Sequence, residues 1–80
     1  MNNPCTFDEF KKSVSEFLHE SMTADLSALE NGFNIIKNMY KNIVPEPQGT
    51  LKIVANSTWN FVEREYNKSA SKSILKNLSI

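Results

Sequence analysis

Apolar residues recur every three or four positions along most of this chain, the spacing that lines one face of an α-helix. Phe7, Phe10, Val14, Phe17, Leu18 and Met22 fall within an arc of roughly 140° on a helical wheel. Thr6-Phe7-Asp8-Glu9 precedes them as a capping box. The threonine hydroxyl accepts from an early backbone N–H, and the glutamate reaches back to the N-cap. Asp8 and Glu9 also sit at the positive end of the helix dipole. The pattern predicts a helix over about residues 7–21.

A second helix is predicted over 24–44. Leu26, Leu29, Phe33, Ile36, Tyr40 and Ile43 alternate spacings of three and four, a heptad seam that Ile35 and Met39 widen into a face. Ser21 or Thr23 serves as the expected N-cap, with Asp25 in the first turn. Gly32 interrupts the pattern at a cost of up to about 1 kcal/mol relative to alanine, and it leaves room for another helix to approach. Pro45-Glu46-Pro47-Gln48-Gly49 then stops the helix and forms a turn over 45–49.

The stretch after the turn is ambiguous at its start. Leu51-Lys52-Ile53-Val54 suits a strand, yet Leu51, Val54, Ala55, Thr58, Trp59, Phe61, Val62 and Tyr66 occupy a helical arc of roughly 160°. Among the apolar residues here only Ile53 lies off that arc, and no second strand candidate exists to accept its backbone hydrogen bonds. A helix over 50–67 follows. A short last helix over 69–78 sets Ala70, Ile74 and Leu78 on one side and Lys68, Lys72 and Lys76 on the other. The expected fold is all-α: a small antiparallel helical bundle of three long helices plus a short C-terminal helix, in one domain spanning 1–80.

Length sharpens this picture. A chain of 80 residues buries only about 60% of its unfolded surface, a thin margin for a lone core. Cys5 is the single cysteine, so no intramolecular disulfide forms, and no Cys/His pair has zinc-ligand spacing. A bound partner or oligomerisation is the remaining source of added stability. The net charge is zero, which argues against a dedicated nucleic-acid binder. The charges are nevertheless polarised. Residues 1–32 carry six acidic and two basic side chains, and residues 33–80 carry three acidic and seven basic. That split suits acidic and basic helices pairing within one fold or across a dimer. No apolar run is long enough for a transmembrane segment, and Met-Asn-Asn-Pro-Cys-Thr lacks the basic and apolar regions of a secretory signal. The expected location is cytoplasmic, with signal-less export as the exception.

Candidate chemistry is sparse. Glu16, His19 and Glu20 contain the Glu-x-x-His half-motif of di-iron bundles, but the site needs two such halves and the chain has one histidine. His19 falls on the polar edge of its helix and reads as a solvated side chain. Cys5 has no base near it in sequence and precedes the first helix in a segment expected to be mobile; the helix start would lower its pKa somewhat. Two glycines exclude a phosphate-cradling loop. The reading therefore assigns no catalytic, cofactor-binding or metal-binding residue, and no cofactor. Partner-binding candidates are Trp59 and Phe61, at opposite margins of their arc, and the Lys68, Lys72, Lys76 stripe. The stripe suits an acidic protein groove, phosphates or an anionic membrane, or simply complements the helix dipole. The expected function is a non-enzymatic protein-binding module, such as a small cytoplasmic regulator, inhibitor, immunity protein or chaperone acting through a helical face. The alternatives are a self-assembling structural subunit, with a second copy as partner, and a weak nucleic-acid or membrane-surface binder using the lysine stripe.

Overall fold

A computed structural model describes residues 4–78, with side chains as far as residue 76. It is all-helical: α1 spans Phe7–Glu20, α2 Leu26–Lys41 and α3 Thr50–Leu78. The capping box before α1 is formed in full. Glu9 N–H donates to Thr6 Oγ1 at 3.1 Å, and Thr6 N–H donates to Glu9 Oε1 at 2.9 Å. Phe10, Val14 and Phe17 are the buried face of α1. Met22, expected on that face, is instead exposed in the following turn because α1 has already ended at Glu20.

The N-cap of α2 is Asp25, whose carboxylate accepts from Ala28 N–H at 2.8 Å. Ser21 is spoken for: its N–H bonds Phe17 O at 2.8 Å and its hydroxyl donates to Leu18 O at 2.9 Å, so it closes α1 rather than opening α2. Thr23 N–H likewise bonds back to Glu20 O. At its far end α2 stops at Lys41, short of the expected residue 44, with Asn42 as C-cap. Ile43 is buried all the same. The chain turns extended there and pairs with Cys5, through Cys5 N–H to Asn42 O at 3.0 Å and Val44 N–H to Cys5 O at 2.7 Å. The segment around Cys5, expected to be mobile, is thereby pinned to the end of α2. Ile35 is exposed, so the buried face of α2 is narrower than expected and centres on Leu29 and Ile36.

The largest departure lies in α3. One helix runs from Thr50 to Leu78 where two were expected, with no break between 67 and 69. Asn67-Lys68-Ser69 contains neither proline nor glycine, so nothing removes a backbone donor or opens left-handed conformations there. Ala55 and Val62 are its buried positions, with Trp59, Tyr66, Ser69 and Ser73 half-buried between and beyond them. Leu51 and Val54, expected in the buried arc, are exposed because α1 and α2 cover a narrower strip of α3 than that arc.

Phe10, Leu29 and Val62, one from each helix, are the most deeply buried large side chains. Around them the aromatics stack in a chain. Phe33 lies 4.2 Å from Tyr66 and 5.2 Å from Trp59, centroid to centroid, and Tyr40 lies 5.3 Å from Trp59 and 5.8 Å from Phe10. Thus the partner on α3 steps back from Tyr66 to Trp59 as α2 advances from Phe33 to Tyr40.

Candidate functional site

The unusual element is α3, which is apolar on two sides. Its inner seam of Ala55, Trp59, Val62 and Tyr66 meets α2 and α1. Its outer face carries Ile53 at 66% exposure, Val54 at 41%, Phe61 at 44% and Leu75 at 65%. Helical geometry explains the arrangement: 100° per residue puts Val54, Phe61 and Leu75 within an arc of about 60° on one flank, well round from the seam. A helix on the outside of a small fold ordinarily shows water a polar face.

Of the residues singled out from sequence, Trp59 and Phe61 part company. Trp59 is half-buried and stacked between Phe33 and Tyr40, where it serves the core. Phe61 points outward among exposed neighbours. Tyr40, which also packs on this aromatic layer, donates its hydroxyl proton to Asn56 Oδ1 on α3. Lys68, Lys72 and Lys76 are all exposed, and Lys68 Nζ lies 3.6 Å from Glu65 Oε2 of its own helix. Lys11–Asp8 on α1, at 3.4 Å, is likewise a local i,i+3 pair. Such exposed pairs contribute little to stability.

The three lysines line one wall of an open groove of about 1120 Å³ between the C-terminal half of α3 and the α1–α2 turn. The facing wall brings Leu18, Met22, Asp25 and Leu26. The groove lining offers ammonium groups, hydroxyls and two carboxylates, Asp25 and Glu65, but neither imidazole nor thiol.

His19 stands exposed on α1, away from that groove. Among the described residues no three His, Cys, Asp or Glu side chains converge as metal ligands. Cys5 is buried, with its Sγ 3.3 Å from Met39 O. Burial first, and the nearby Glu9 carboxylate second, push its thiol pKa above the ordinary value. The expected lowering by the helix start is therefore reversed, because desolvation of a thiolate outweighs a dipole at a capped helix end.

The residues missed from sequence are Val54 and Leu75. The apolar spacing places Val54 in the buried arc and puts Leu75 on neither side of the last helix. The signal lay in their seven-residue relation to Phe61 and Lys68, which shows only when 50–78 is read as one helix. Among the described residues no helix is long and apolar enough to cross a membrane. Compared with known proteins, the chain matches no family model, no curated protein and no solved structure.

Proposed function

We propose that this chain is a non-enzymatic protein-docking module that works through the outer face of α3. The observation that carries the reading is the exposure of Ile53, Val54, Phe61 and Leu75 on the side of α3 opposite its packed seam. Apolar surface left in water is unfavourable by about 25 cal/mol per Å², and a partner that covers it recovers that free energy. Exposed aromatic residues within such a patch are the usual interface anchors, which gives Phe61 the central place. Arg64, Lys68 and Lys72, also exposed, frame the patch with positive charge and set its polar rim.

In this reading the three helices form an antiparallel bundle whose first two helices serve as scaffold. The role is that of a small regulator, inhibitor, immunity protein or chaperone in a reducing, cytoplasmic setting, which the single buried thiol of Cys5 suits.

The test is capture from the source lysate with the tagged chain and with a Phe61→Asp, Leu75→Asp variant. Both altered residues are exposed, so the variant retains the helical circular dichroism of the parent. A stoichiometric protein held by the parent and reduced at least tenfold with the variant supports the reading. Equal capture by both, or turnover of a substrate by the pure protein, sinks it.

A further inference from the structure

We propose that the groove between the C-terminal half of α3 and the α1–α2 turn receives an extended acidic segment of another protein. In that segment carboxylates alternate with apolar side chains. This site stands apart from the outer face of α3, so either can exist without the other.

The groove opens where the seam of α3 changes character. Trp59, Val62 and Tyr66 pack against the other two helices. One and two turns past Tyr66 the same side carries Ser69 and Ser73, both half-buried and both lining the groove. Serine is too small to fill the space up to the α1–α2 turn, and about 1120 Å³ stays open there.

Its two walls differ in chemistry. On α3, Lys68, Lys72 and Lys76 stand four residues apart, about 6 Å per step at 1.5 Å per residue. Across from them Leu18 and Leu26 are half-buried, and Met22 is 81% exposed, the most exposed large apolar side chain among the described residues. Two carboxylates also line the groove, and each is engaged. Glu65 lies 3.6 Å from Lys68 on the same helix, and Asp25 accepts from Ala28 N–H. Three ammonium groups against two carboxylates leave the lining positive.

An extended strand fits both walls at once. Its successive side chains point to opposite sides, and alternate ones recur about every 6.6 Å. Three carboxylates on one edge therefore match the three lysines with a mismatch of about 1 Å over the whole row. The side chains between them turn to Leu18, Met22 and Leu26, covering apolar surface that Met22 otherwise leaves in water. Asp25 repels a carboxylate placed on that side, which fixes which edge of the segment faces which wall. A nucleic-acid backbone carries anions but no apolar edge. A flat anionic membrane meets the rim of a groove and not its facing walls.

The probe is a Glu-Leu-Glu-Leu-Glu peptide carrying an uncharged fluorophore, titrated by anisotropy with the full chain from about 1 to 1,000 μM. Saturable binding is expected, weakened several-fold by added salt. Gln-Leu-Gln-Leu-Gln, without the charge, and Glu-Ser-Glu-Ser-Glu, without the apolar edge, each bind at least about fivefold more weakly. Lys72→Gln with Lys76→Gln weakens binding of the probe about three- to tenfold, and Met22→Ser about threefold. All three side chains are exposed, so the variants keep their helical dichroism. The peptide controls use the unaltered chain and decide even where a variant folds poorly. Phe61→Ser, on the outer face, binds the probe as the parent does.

No binding up to about 1 mM, or equal binding of Glu-Ser-Glu-Ser-Glu, overturns the proposal. So does tighter binding of a thymidine oligonucleotide or of phosphatidylserine vesicles that depends on the same lysines, which assigns the stripe to phosphates. Loss of binding with Phe61→Ser moves the peptide to the outer face, overturning the groove site while leaving the docking reading there intact.

Discussion

The ring of Phe17 lies against Gly32 so closely that a β-carbon at position 32 would stand 2.9 Å from Cδ1 and 3.2 Å from Cε1. Gly32 thus makes room on α2 for the Phe17 ring of α1, and its helix-weakening backbone freedom is exchanged for that contact. Gly32→Ala gains up to about 1 kcal/mol of helix propensity. It also forces the buried Phe17 ring to move, at about 1–3 kcal/mol for overpacking. The expected net is a loss of about 1 kcal/mol in urea unfolding. Combining it with Phe17→Leu relieves the contact, so the double-mutant cycle should show a favourable coupling of about 1 kcal/mol. A Gly32→Ala variant more stable than the parent would refute the close-contact account.

Phe33 joins two rings of α3, Trp59 and Tyr66, to α2. Removing it in Phe33→Ala leaves both without their shared stacking partner. The site is half-buried, so the cost should fall at about 2–3 kcal/mol, below the 3–5 typical of a fully buried ring. The near-ultraviolet dichroism of Trp59 should fall with it. A loss under about 0.5 kcal/mol, the scale of a neutral surface change, would contradict the stack.

The start of α2 is tested by two alanine variants. Asp25→Ala removes the acceptor for Ala28 N–H and should cost about 1 kcal/mol. Thr23→Ala should stay within about 0.5 kcal/mol, because Thr23 lies in the turn before the cap. The reverse ranking would move the helix start back to Thr23.

Continuity of α3 is checked with Ser69→Pro. In the interior of one long helix a proline removes a hydrogen bond and clashes with the preceding turn, costing about 3 kcal/mol or more. At a break between two helices it would be nearly silent. Thermal unfolding and helical dichroism at 222 nm separate the outcomes.

Cys5 makes stability depend on pH in a stated direction. Its thiol pKa is raised in the folded chain, by burial and then by Glu9. The unfolded chain therefore ionises first, and the folded state binds the proton more tightly. The contribution is fully present below the unfolded value of about 8.5 and is lost as pH rises through the folded value. Stability of the parent should fall more steeply above about pH 8.5 than that of Cys5→Ala. Identical slopes would argue against a desolvated thiol. In the same protein, thiol reagents at neutral pH should label Cys5 far more slowly before denaturation than after it.

Helical periodicity is a local property, and the chain by itself determined what depends on it. Spacings of three and four set the all-helical class, and the Thr6 capping box needed only its own four residues. Even the outward position of Ile53 was legible, since it lay off the arc. Burial is not local, and only the tertiary structure decided it. Phe61 and Trp59 sit at two margins of one arc, and which of them faces water depends on how wide a strip of α3 the other helices cover. Cys5 is buried because residues 42–44 come back to it, a contact across more than thirty positions that no window of sequence contains. The union of the last two helices into α3 lay between these cases: no residue there forbids a helix, and none by itself requires it to continue. That union lines up Val54, Phe61, Lys68 and Leu75, because a seven-residue repeat becomes a face only on an unbroken helix.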